Sequence, residues 1–142
     1  MNIIKITTNN EISIHSYPTE IIHEENKALR QLIGNNCRIF EHVMPQRLYS
    51  ELGAPSSVTN IDGECISMLI DEEGLLKPNS VNLVGSFLYE SDKHANPIAG
   101  NVLIVGEKWE EDGISFCGIA EEQFNLIYPK LKALVEKAGE YR

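Results

Sequence analysis

The sequence predicts an α+β fold: a mainly antiparallel sheet of five to six strands with two main helices packed on it, in a single domain spanning residues 1–142. Three observations predict it. Short β-branched runs recur along the chain, and two longer stretches repeat apolar residues at helical spacing. A chain of 142 residues, 42% hydrophobic and 23% charged, also suits one globular core. No internal repeat, low-complexity tract or linker divides it.

The elements follow in order. Ile3-Ile4-Lys5-Ile6-Thr7-Thr8 is β-branched and reads as a strand, Asn9-Asn10 as a turn, and Ile12-Ser13-Ile14-His15 as the returning strand, with Pro18 closing the hairpin. From Glu24 to Ile33, Ala28, Leu29, Leu32 and Ile33 keep helical spacing, acids occupy the first turn, and Gly34 stands where a helix stops. Cys37 to Val43 alternates as a strand. Leu48, Tyr49 and Leu52 make one helical turn before Gly53, and residues 54–63 are a loop by composition.

Cys65 to Ile70 is apolar on nearly both faces, which predicts a strand inside the sheet, ended by Asp71-Glu72-Glu73-Gly74. Val81 to Tyr89 is ambiguous between a short helix and a strand, and Ser91 to Pro97 reads as polar loop. Asn101–Val105 and Ile114–Cys117 are strands joined by residues 106–113. Glu121 to Lys137 is helical with Phe124, Ile127, Leu131 and Leu134 on one stripe, and Pro129 is expected to kink or divide it.

The net charge is −9, from 12 Lys+Arg against 21 Asp+Glu. An acidic balance lacks the cation excess that neutralises phosphates, which argues against direct nucleic-acid binding and against an anionic membrane surface. The longest uninterrupted apolar run, Val102 to Val105, is far too short to span a bilayer. The N-terminus has no basic segment followed by an apolar one, and three cysteines at unrelated spacings define no disulfide framework. A reduced, cytoplasmic setting is expected.

The charge is unevenly spread: eleven acids against three bases fall within residues 71–122. Its densest runs are Asp71-Glu72-Glu73 and the segment Glu107 to Asp112, which carries Glu107, Glu110, Glu111 and Asp112 around Trp109. One reading is solvated turns between strands. The other is a compact acidic surface, with Trp109 as an aromatic anchor for a partner protein whose own surface is basic.

Motifs for catalysis or cofactors are absent from the sequence. Aligning Gly74 with the sixth position of a calcium loop puts Leu69 at the first ligand position, where a hard cation finds no oxygen. There is no phosphate-binding glycine loop and no dinucleotide fingerprint, and His15, His23, His42 and His94 are scattered. Cys65 and Cys117 sit in apolar strands, where burial deadens a thiol, and nothing nominates a base for Cys37. The expectation is therefore no enzyme, no cofactor and no metal. A second constellation, Asn82, Tyr89, Asp92 and His94, is a candidate pocket for a small molecule such as a nucleotide signal. Its phosphates would need Arg30, Arg38 or Arg47.

Several landmarks in order resemble a small family of unknown function found in phages, prophages and conjugative elements. They are Leu29 to Ile33, Cys37 to Val43, Asp71 to Leu76 followed by Pro78 and Asn82, Ile98 to Gly106, and Ile119 to Phe124. The resemblance covers roughly residues 10–128. The family pattern places an Arg soon after the acidic turn, where this chain has Leu83, and this chain is longer between Gly85 and Pro97. What the resemblance implies is a setting: an accessory protein of a mobile element, acting on a host protein and possessing, in such elements, an anti-defence role. A second copy of the chain, pairing at an exposed sheet edge, is a further candidate partner.

Overall fold

In the computed structural model, which describes residues 1–18, 22–55, 60–94 and 96–140, six antiparallel strands form one sheet. The strands are β1 (Asn2–Ile6), β2 (Ile12–Ser16), β3 (Phe40–Val43), β4 (Ile66–Asp71), β5 (Val102–Glu110) and β6 (Gly113–Cys117). The order is β2-β1-β5-β4-β3, with β6 also bonded to β5. The nine-residue β5 explains this branching: its first half pairs with β1, as in Ile4↔Ile104, and its second half with β6, as in Gly106↔Cys117. β4 lies along its other side.

The helices are α1 (Ile22–Ile33), α2 (Gln46–Ser50), α3 (Leu83–Leu88), α4 (Ser91–His94) and α5 (Glu121–Gly139). They cover both faces of the sheet. On one face, Ile4, Ile6, Ile66, Met68, Val102 and Ile104 meet Leu48 of α2, Val84 and Leu88 of α3, and Ile127, Leu131 and Val135 of α5. On the other, Ile3, Leu69, Leu103 and Val105 meet Leu29 and Ile33 of α1. This is why β4 and β5 are apolar at successive positions: each side chain, in or out, enters a core. Burial of one such Ile or Leu contributes about 1.5–3 kcal/mol.

Several elements differ from the sequence reading. The strand expected from Cys37 begins only at Phe40. Gly34, Asn35 and Asn36 all hold positive φ, so the chain is still reversing after α1 when it reaches Cys37. Within Val81 to Tyr89, Leu83–Leu88 form helix α3, capped by the Asn82 side chain, which accepts from Gly85 N–H at 2.8 Å, while Val81 bridges to Ala99. Residues 91–94 of the expected polar loop form the short helix α4. Residues 56–59 of the expected loop lie outside the described residues.

The segment 106–113 is not a loop. β5 runs on to Glu110, which shortens the turn to Glu111 and Asp112. Pro129 does not divide α5: it stands on the exposed side of the helix, as does Asn125, whose carbonyl it leaves without the usual helical donor. The deepest stripe of α5 is Gln123, Ile127, Leu131 and Val135, and Phe124 and Leu134 flank it half-buried.

Candidate interaction surface

The two acidic runs do not form the single compact surface that was one of their two readings: they stand at opposite ends of the sheet. Leu69 pairs with Leu103, so Asp71 at the end of β4 comes abreast of Asn101, whereas Glu110 lies nine residues further along β5. At about 3.3 Å per residue the separation is roughly 30 Å.

Two acids of the first run are also neutralised where they stand. Asp71 is only 5% exposed and is no surface residue: its carboxylate accepts from Lys77 Nζ at 2.7 Å and from the Glu73 N–H at 2.9 Å, which locks the turn. Glu73 accepts from Arg38 Nε at 3.0 Å and Nη2 at 2.5 Å, and that guanidinium holds its carboxyl below the ordinary range. Glu72 remains exposed. Two of the three carboxylates of this run are thus paired, and Glu72 alone keeps the exposed charge that the sequence suggested for all three.

At the other end Glu107, expected on the acidic surface, lies instead within β5, 6% exposed, and accepts from Ser67 Oγ at 2.7 Å. Beyond it the β5–β6 hairpin presents Trp109, 45% exposed, directly opposite Ile114, 38% exposed, with both side chains on the same face. Glu110, Glu111 and Asp112 make the exposed tip, and Lys108 reaches Glu110 at 3.4 Å.

Four further acids share this end that the sequence reading left aside. Gly63 N–H donates to the Glu107 carbonyl at 2.9 Å, and Ala120 N–H donates to the Gly63 carbonyl at 2.9 Å. These bonds bring Asp62 and Glu64, and the α5 first turn with Glu121 and Glu122, to the base of the hairpin. The acidic pole thus gathers Asp62, Glu64, Glu110, Glu111, Asp112, Glu121 and Glu122, with Lys108 among them. The only sequence signal for it is the spacing of Gly63, Gly106 and Gly118, whose backbones touch where no Cβ would fit.

The second constellation does not converge. Asn82 is fully buried, and its Nδ2 donates to the carbonyls of Ile6 and Gly100, both at 3.0 Å. Asp92 receives both terminal nitrogens of Arg47, which holds its carboxyl down at about 2. Tyr89 and His94 meet edge to face at 4.7 Å. Tyr89 lines a cleft of about 170 Å³ with Val43, Ile70, Asp71 and Ile98, to which Asn82, Asp92 and His94 contribute nothing. A larger apolar groove of about 370 Å³ lies between α3 and α5, lined by Leu83, Val84, Phe87, Leu134, Lys137 and Ala138.

Among the described residues, no three His, Cys, Asp or Glu side chains gather as a metal would require. Cys37, for which the sequence nominates no base, is buried at 8% exposure, and its burial pushes the thiol up. Burial likewise pushes Cys117 up to about 11. Neither is an activated nucleophile. No helix among the described residues is long and apolar enough to cross a membrane. Compared with protein-family models, curated proteins and solved structures, the chain matches none.

Proposed function

We propose that the protein is a non-enzymatic interaction domain that docks on a partner protein through the acid-tipped β5–β6 hairpin. The observation that carries this reading is the exposed pair Trp109–Ile114, set across two strands and rimmed by Glu110, Glu111 and Asp112. A large amphipathic aromatic held on a paired strand supplies contact area at small entropic cost, while the acids steer a basic surface toward it. The partner that fits is a protein with an apolar slot rimmed by Lys or Arg. The setting implied by the resemblance makes it a host protein, and the role that of an accessory, anti-defence inhibitor.

Capture from host lysate, with wild type and Trp109→Ala side by side, tests this. The wild type is expected to retain a basic partner that elutes as salt rises, and Trp109→Ala to lose it at unchanged thermal stability. A partner held equally by both proteins, or indifferent to salt, overturns the reading.

A further inference from the structure

We infer that two copies of this chain pair through the outer edge of β2, in antiparallel register about Ile14, to join their sheets into one. The position of β2 is the first ground. It is the last strand on its side of the sheet, and among the described residues no strand pairs with its outer side. Thr7 N–H donates to the Glu11 carbonyl and Tyr17 N–H to the Met1 carbonyl, so the bonded pairs alternate through Lys5↔Ser13 and Ile3↔His15. The N–H and C=O groups of Ile12, Ile14 and Ser16 therefore point outward.

Those outward groups match themselves under a two-fold axis. With Ile14 opposite Ile14 of the second copy, Ile12 comes opposite Ser16 and Ser13 opposite His15. Three bonded pairs form, and no carboxylate or Lys/Arg faces its like. Ile14 is 46% exposed on the face where Ile12 enters the core, so the pairing also covers the protruding aliphatic side chain of this edge.

The second ground is what the other edges carry. Native edge strands are commonly blunted by charge, proline or shortness. β3 has only four residues and includes exposed Glu41, and β6 belongs to the acidic hairpin, where a second copy would bring like charges together. β2, Ile-Ser-Ile-His-Ser, is one residue longer than β3 and carries no Asp, Glu, Lys, Arg or proline.

The third ground is where the two-fold puts the charge. Met1 packs against Gly118 at the acidic pole, and Tyr17 is bonded to Met1, so the Ser16 end of β2 lies toward that pole and the Ile12 end away from it. Antiparallel pairing then sends the two poles to opposite ends of the dimer. Neither hairpin is covered, so this interface is independent of the partner site proposed above.

Light scattering over a wide concentration range tests it. The wild type is expected to approach twice 15.9 kDa as concentration rises. Ile14→Lys sets like charges opposite one another, and Ile14→Glu does the same with the other sign. Each is expected to stay monomeric with an unchanged circular dichroism spectrum, and their equimolar mixture to regain the dimer mass. A wild type that stays monomeric throughout, a dimer that survives Ile14→Lys, or a mixture that does not reassociate overturns the inference.

Discussion

Arg47 and Asp92 meet through two parallel hydrogen bonds, Nη1 to Oδ1 at 2.6 Å and Nη2 to Oδ2 at 2.8 Å, and so tie α2 to α4 across the end of α3. The guanidinium also donates to the Phe87 carbonyl at 2.8 Å and lies 4.4 Å from the centre of the Phe87 ring. Asp92 is thereby committed to the fold, as is Arg47.

The pair sets a pH dependence. Arg47 lowers the Asp92 carboxyl from 3.8 to about 2, so the folded state favours the charged form. The resulting stabilisation is fully present above pH 3.8 and is lost as pH falls toward 2. Urea denaturation at a series of pH values should find Asp92→Asn less stable than wild type at neutral pH, with the two curves converging near pH 2. Curves that stay parallel through that window would refute the coupling.

Asn82, like Asp92, serves the fold rather than a pocket, and its replacement should be costly. Its amide caps α3 and holds two carbonyls, of Ile6 on β1 and of Gly100 just before β5, in a site closed to water. Asn82→Ala removes the cap and strands both acceptors, a loss on the order of 3 kcal/mol. Asn82→Asp keeps an acceptor for Gly85 N–H but turns a negative oxygen toward two carbonyls, and should be at least as damaging. Chemical denaturation measures both, and a loss below about 1 kcal/mol for either would contradict this accounting.

What the sequence disclosed depended on the range of the interaction. The β1–β2 hairpin, α1 with its Gly34 stop and the interior place of β4 are written in local periodicity and turn chemistry, and they were legible. Asn82 carried a cap signal of equal strength, but the β-branched and aromatic residues of 81–89 masked it. The site was less legible for a different reason. Charge density along the chain says nothing of which strand end a turn occupies, so it leaves Asp71 and Glu111 free to be neighbours, whereas β4 and β5 run in opposite directions and put them at opposite ends. Asp62 and Glu121 reach the hairpin only through contacts between segments far apart in sequence. Trp109 was found because its neighbours in the chain are also its neighbours in space.

The contact that builds the acidic pole is itself open to test. A Cβ on Gly106 would lie 2.6 Å from Gly63 Cα and 3.0 Å from the Gly118 carbonyl carbon. Gly63 is bonded on both sides, to Glu107 and Ala120, and Gly118 is backed by Met1. Gly106→Ala therefore has to separate β5 from the 61–64 turn and from the start of α5, at a cost of about 1–3 kcal/mol. Gly139 is the control: a Cβ there meets nothing within 4 Å, and alanine suits a helix end, so Gly139→Ala should be neutral or gain up to about 1 kcal/mol. Urea denaturation of the two variants beside wild type measures the contrast. If Gly106→Ala proved as stable as Gly139→Ala, the three glycines would not be the junction that places Asp62, Glu64, Glu121 and Glu122 beside the hairpin.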